Sequence, residues 1–484
     1  MPFWPNEEVG KPSIFDEHRK APGVKLSKKQ VQSRVHSLPV LRFEDQRLTS
    51  FSGMILFQAL FQRLDLRGRL VRHLGRASRG VAYGLHVLFL QLVVHLLVGF
   101  RRLRERDHYV EDPLLPRLLG VQQLADTSTL TRRLAGASEA AVVAVRAAGR
   151  ELVVGRLAQE KLARVTLDFD GSVLTTRGYT EGSAVGYNVK RRGARSYYPL
   201  FCTVAQTGQF LDFHHRPGNV HDSNGAKAFM LECVQAARTA APRAQIETRI
   251  DAAFFDEAIV DQLDQQQIDF SVSVPFERFP ALKSIIEKTP SWRWIPIDEH
   301  WSYAEIYWRP KSWKSHYRLI ALRQRIAQQI KGPIQLDLFA PRDHIYDYRV
   351  IATNKANVSA DAVRRFHHGR GTQEGLIGEA KAHVQLDYVP TRRLAANKLF
   401  TAAALMAHNL GRELQMATKP RERATSPTRP ALWAFETLRT LRQKLLLRAG
   451  RLTYPKGTLT LTMNANEAAQ HDYTTYLKAL LAAA

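Results

Sequence analysis

The chain has 484 residues, with 70 Lys and Arg against 45 Asp and Glu, a formal charge of +25, and a pI of about 10.2. So large an excess points to a polyanionic partner, because each phosphate neutralised by Lys or Arg releases condensed counterions. The two cysteines, Cys202 and Cys233, exclude a disulfide framework and a Cys-based zinc site and fit a reducing cytosol.

In chain order, residues 1 to about 45 carry scattered Pro and Lys and read as a loose arm without the apolar core of a signal peptide. Residues 50–160 are helical by period, with Ile55, Leu56, Ala59, Leu60 and Leu64 at helical spacing. The most apolar stretch, 87–100, contains Gln91 and His95 and is too short to cross a bilayer, so it predicts a buried helix and no membrane partner. Residues 122–135 (QQLADTSTLTRRLA) suit either a DNA-reading helix-turn-helix or a plain helical hairpin.

From Arg164 the period changes. Strands are expected over 164–169, 197–206, 209–215, 246–250 and 268–274. Helices fall between them: one capped by Asp222, Ser223 or Asn224 and running to Ala237, the other over 256–266. Three antiparallel strands, a helix, then strand-helix-strand is the order of a ribonuclease-H-like α/β fold. Residues 276–352 break it: they hold Trp292, Trp294, Trp301, Trp308 and Trp313 and short β-prone runs, and predict a β-rich insertion. Helices over 372–386 and 395–415 follow, and from 419 to 456 ten Lys or Arg stand against Glu422 and Glu436. The expected organisation is therefore a helical basic DNA-binding region (1–160), a ribonuclease-H-like catalytic core in two parts (161–275 and 353–415) around the β-rich insertion (276–352), and a basic, helical C-terminal region (416–484).

Asp168 and Asp170 lie two apart at a strand end, on one face. Asp251 ends another strand. Carboxylates at strand ends along one sheet edge suit Mg²⁺ or Mn²⁺, and two such ions could serve phosphodiester cleavage; each aspartate alone equally suits a cap of the next turn. On the helix near 374, Arg370, Glu374 and Lys381 fall within about 40° of one line, whereas Glu379 lies about 140° round and is expected to face solvent. A carboxylate between two cations suits a metal ligand beside phosphate, or an ordinary stripe of i, i+4 pairs. Lys190, Arg191, Arg192 and Arg195, beside Tyr187, Tyr197 and Tyr198, form a phosphate track or a solvated charge run. His214, His215 and His221 lack the spacing of a zinc site.

Four stretches, LDFDGSVLTTRG, GYNVKRRGARSYYPLFCTVAQTGQFLDFHHRPGNVHDSNGA, RIDAAFF and RRFHHGRGTQEGLIGEAK, together resemble the insertion-sequence DDE transposases, specifically the family numbered thirteen-eighty. The related group carries a Y-x2-R-x3-E-x6-K signature, matched in register by Arg370, Glu374 and Lys381, with His367 in the tyrosine position. The resemblance selects Asp170, followed by Gly171-Ser172, over Asp168 as the first catalytic carboxylate, and Asp251 and Glu374 as the others. It implies two Mg²⁺ ions (Mn²⁺ substituting), phosphate contacts from Arg370, Lys381 and His367, and Trp stacking on an extruded base. The implied activity is cleavage at transposon ends and joining of the 3′-hydroxyls to target DNA. Double-stranded DNA partners, a homodimer at synapsis and a bacterial nucleoid location follow from it. The alternatives are a catalytically silent DNA-binding descendant and a ribonuclease-H-like nuclease without strand transfer.

Overall fold

The computed structural model describes residues 27–34, 41–44, 46–75, 83–220, 224–326, 346–422 and 432–482. Most of the expected arm, and His221, Asp222 and Ser223, lie outside them.

A nine-stranded mixed sheet organises the chain. Its strands are β1 (Arg164–Gly171), β2 (Leu200–Val204), β3 (Gln209–His214), β4 (Gln245–Ile250), β5 (Asp269–Ser273), β6 (Ile295–Pro296), β7 (Trp301–Ile306), β8 (Arg318–Arg325) and β9 (Tyr346–Thr353). Their order across the sheet is β6-β7-β8-β9-β5-β4-β1-β2-β3. Only β1, β4 and β5 run parallel to their shared neighbours; each of the other pairs is antiparallel. Both connections between parallel strands carry a helix, as a crossover requires. The first ends in Ala226–Ala240, preceded by Gly225 in the left-handed region without a side-chain cap, so Asn224 does not have the capping role expected of it.

The β-prone stretch does not form a sheet of its own. Strand β9 pairs with β5, and β8, β7 and β6 continue outward. Alternation explains why it can: Leu319 and Ala321 enter one apolar core, while Ile320 and Leu322 enter another on the opposite face. Of the five tryptophans, Trp294 and Trp313 are core residues and Trp292 is exposed.

The helices that matter for the site are α1 (Leu85–Val98), α2 (Glu139–Glu160), α3 (Ala226–Ala240), α4 (Glu257–Gln265), α5 (Ala360–His368), α6 (Gly371–His383) and α7 (Leu394–Met416). In α1 every residue after the first is buried, and two of its polar members reach partners outside the helix. The Gln91 amide bonds the backbone N–H and C=O of Ala125, and His95 Nδ1 lies 2.8 Å from the Tyr109 hydroxyl. No helix among the described residues is long and apolar enough to cross a membrane.

Helix α7 packs along α1 and α2 and closes the edge of β3. Asn409 accepts from the Phe210 N–H and donates to its C=O, both at 2.8 Å, so this edge strand has its free backbone groups covered by a helix. Residues 122–126 are not helical. Asp126 instead caps a single helix, Thr127–Ala135, through the Thr129 N–H, and α2 follows directly behind Ser138. The expected Ser/Thr turn is thus the first turn of a helix.

The C-terminal region folds back on the N-terminal one. Gly450–Thr453 pairs with Leu48–Thr49, and Tyr473, Tyr476 and Leu480 join the core beneath Met54–Arg63. One of its basic residues, Arg442, is buried and donates to the carbonyls of Leu96, Leu97 and His383, closing the C-terminal ends of α1 and α6.

Candidate active site

Strands β1 and β4 are in register, with Thr166 opposite Glu247 and Asp168 opposite Arg249. Alternate residues share a face, so Val165, Leu167, Phe169, Ile246 and Ile250 fill the core on one side and polar rungs line the other. In the first rung Glu247 takes the ammonium of Lys355 at 2.5 Å and the guanidinium of Arg164 at 2.6 Å. In the second, Arg249 donates to both oxygens of Asp168 at 2.6 Å each. Asp168, held from the sequence as a lesser candidate ligand, is therefore a buried ion-pair partner within the sheet. Continuing the register by one step brings Asp170 beside Asp251, a rung of two like charges.

Asp170 is at the end of β1, with Oδ1 accepting from the Gly171 N–H at 2.8 Å; Asp251 accepts in the same way from the Ala252 N–H at 2.7 Å. Burial and then the neighbouring Asp251 push the Asp170 carboxyl up to about 7, with Glu374 adding to the rise and Arg370 opposing it. The third carboxylate comes from the first turn of α6. Arg370, just before that helix, places Nη2 3.0 Å from Glu374 Oε1 and 3.7 Å from Asp251 Oδ1. Its Nη1 is buried with no hydrogen-bond partner among the described residues.

The donor set is thus all hard oxygen, converging with too much negative charge for one guanidinium to balance. Such a set fits Mg²⁺ or Mn²⁺. As they stand, no three His, Cys, Asp or Glu side chains among the described residues close to metal-ligand spacing; Glu374 is turned onto Arg370.

The other sequence candidates separate. Lys381 reaches from α6 to Ser172 Oγ at 2.6 Å and the Val173 carbonyl at 3.2 Å, pinning the segment just past Asp170. Lys190, Arg191 and Arg192 are exposed, and Lys190 is near enough to Lys381 to depress its ammonium alongside burial. Arg195 is not part of that free patch: it bonds Ser183 and covers the Tyr179 ring at 5.1 Å.

His367 departs furthest from expectation. Its Nδ1 lies 2.9 Å from Ser271 Oγ and its Nε2 2.7 Å from Ser273 Oγ. Burial, with Arg370 and Arg249 nearby, pushes it down to about 3. A neutral imidazole with both nitrogens engaged ties α5 to β5. Glu379 does face away from the carboxylates, but into protein rather than solvent. It pairs with Arg412 of α7 at 2.6 Å and accepts from the Leu438 N–H.

A cleft of about 870 Å³ is lined by Asp251, Arg370 and Glu374 together with Trp301, Arg349 and Arg364. The Arg349 and Arg364 guanidiniums stand 5.5 and 5.2 Å from the Trp301 ring. Arg249 was missed as a candidate, although the alternation in ETRID pairs with that in TLDFD and could have shown it.

No curated protein matches the chain. Among solved structures, a piggyBac transposase synaptic complex with hairpin DNA aligns over 74% of this chain and 75% of that one, at 12% identity and a TM-score of 0.36. A Mos1 transposase paired-end complex with left transposon end aligns over 40% and 60%, at 11% identity and a TM-score of 0.18. A family model, the transposase DDE domain group 1, matches residues 33–484. Spanning the N-terminal helices, the carboxylate rung and the C-terminal return alike, that match establishes that the chain belongs to the transposase DDE domain family.

Proposed function

We propose that the protein is the DNA transposase of an insertion sequence of the family numbered thirteen-eighty, with a ribonuclease-H-like core and Asp170, Asp251 and Glu374 as its catalytic carboxylates. The observation that carries the reading is the third rung: Asp170 and Asp251 side by side at the carboxyl ends of parallel strands, tied through Arg370 to Glu374. Ligands in open α/β sheets bind outside those strand ends.

The three carboxylates would hold two Mg²⁺ or Mn²⁺ ions, which when bound lower the pKa of water and stabilise the leaving oxygen of a phosphodiester. Arg370 is placed to exchange its carboxylate contacts for the scissile phosphate, its unpartnered Nη1 providing a donor for a non-bridging oxygen. Lys381 fixes the Asp170–Val173 segment, so that Asp170 keeps its place as the charge around it changes. Lys190, Arg191 and Arg192 offer an exposed track for the DNA backbone. Trp301 is the tryptophan of the β-rich stretch that lines the cleft. A homodimer would bring two element ends together.

The test is cleavage and strand transfer with DNA carrying the element's own ends. Wild-type protein should nick those ends and join the 3′-hydroxyls to target DNA with Mg²⁺ or Mn²⁺; Glu374→Gln should bind the ends and do neither. End binding without any cleavage identifies a silent DNA-binding protein, and cleavage without joining identifies a nuclease. Either result overturns the proposal.

A further inference from the structure

Glu374 projects from a helix whose placement over β1 depends on two polar devices that touch neither substrate nor a metal ligand's oxygens. The first is Gln373, the residue before it. Its side chain is fully buried, and Nε2 donates to the Asp168 carbonyl at 2.8 Å and the Phe201 carbonyl at 3.3 Å. Both carbonyls belong to the β1–β2 pair, in which Asp170 stands opposite Phe201. One amide therefore ties the first turn of α6 to the strand that carries Asp170.

The second device is Arg249. Besides its fork on Asp168, it donates through Nη1 to the Phe366 carbonyl at 3.2 Å, in the last turn of α5. That places the guanidinium against the bend between α5 and α6. A Cβ at Gly369 would lie 1.9 Å from Arg249 Nη1, so any larger residue there would push the guanidinium off its present partners. Gln373 and Arg249 reach the same residue, Asp168, one through its carbonyl and the other through its carboxylate. The second rung of the sheet is thus the platform on which the Arg370–Glu374 turn is set.

We infer that Gln373 and Arg249, with the space kept by Gly369, are positioning residues that set Glu374 and Arg370 against Asp170 and Asp251. The inference rests on the carboxylate site proposed above and deepens it. Removing either tether leaves every carboxylate in place but frees the turn to shift, and displacements of about 1 Å at reacting groups cost about 10²-fold in rate.

Gln373→Met keeps length and volume and loses the donor. With the full chain, end-binding affinity, the cleavage rate at saturating DNA, Mn²⁺ affinity read by direct titration without DNA, and the thermal midpoint are compared with wild type. The expected result is unchanged end binding, cleavage slower by about 10- to 100-fold, and several-fold weaker Mn²⁺ binding in a folded protein. Gly369→Ala, which displaces Arg249 without removing a polar group, should do the same and stands in if Gln373→Met does not fold. Folded variants with wild-type Mn²⁺ affinity and a cleavage rate within about threefold overturn the inference. Wild-type protein that binds Mn²⁺ yet never cleaves would overturn the transposase reading alone, because Mn²⁺ affinity still decides the positioning role.

Discussion

Asp170→Asn should stabilise the metal-free protein while abolishing its chemistry. Burial and the adjacent Asp251 raise the Asp170 carboxyl from the ordinary 3.8 to about 7. That rise corresponds to about 4 kcal/mol of disfavour for the charged form, and internal relaxation reduces it to about 2 kcal/mol or somewhat more. Asparagine removes the charge yet keeps an oxygen for the Gly171 N–H. The sign follows from proton binding: the folded state holds this proton to higher pH than the unfolded state, so stability falls as pH rises from about 4 to about 7. The gap between variant and wild type should therefore be absent below pH 4, grow to about pH 7 and stay level above. Thermal unfolding in EDTA at a series of pH values measures it. Adding Mn²⁺ should stabilise wild type by about 1.4 kcal/mol per tenfold excess over Kd and leave the variant nearly unmoved. An Asp170→Asn protein less stable than wild type at pH 8 in EDTA would refute the electrostatic account of the third rung.

Other outcomes follow from the same geometry. Glu379→Gln leaves the buried Arg412 without its carboxylate and should cost about 2–4 kcal/mol in urea unfolding, while cleavage per folded molecule is unchanged. Replacing Lys190, Arg191 and Arg192 together with Ala should leave stability within about 0.5 kcal/mol and flatten the slope of log K against log salt by about 2–3; an unchanged slope removes the loop from the DNA path. His367→Phe should lower stability by about 1–2 kcal/mol without altering that slope, which a phosphate contact could not do. His215, His367 and His408 are pushed down to about 3 and His95 to about 4 by burial. The unfolded chain therefore takes up protons first, and stability should fall as pH drops below about 6.5, outweighing the opposite trend from Asp170.

The periodic elements were legible from the sequence because their apolar residues face cores on predictable sides: each core strand and α4, α6 and α7 lie within a few residues of expectation. The carboxylates were legible as strand-end and helix-face positions. What escaped was the identity of partners brought from far along the chain. Strand alternation puts Asp168 and Asp170 on one face and cannot rank them; the resemblance prefers Asp170, but the ion pair that occupies Asp168 comes from Arg249, 81 residues on. A helical wheel turns Glu379 away from Glu374 but cannot show that Arg412 of α7 covers it. The buried seat of His367 escaped because Ser271 and Ser273, two apart on a strand, show no pairing motif.

The register of β1 and β4 gives these particulars a common origin. Thr166, Asp168 and Asp170 face Glu247, Arg249 and Asp251 in succession, and every rung lies under α5, α6 or the Lys355 turn. A buried charge is tolerated only when paired. The first two rungs meet that condition within the protein, through Lys355 and Arg249. The third cannot, because both members are acids and Arg370 must also serve Glu374. The same alternation that builds a stable seam through the sheet therefore ends, at its carboxyl edge, in a rung with surplus negative charge and an open cleft beside it. On the proposed reading, a divalent cation bound at that rung would lower the free energy of the fold and so couple metal binding to the stability of the strands that present it.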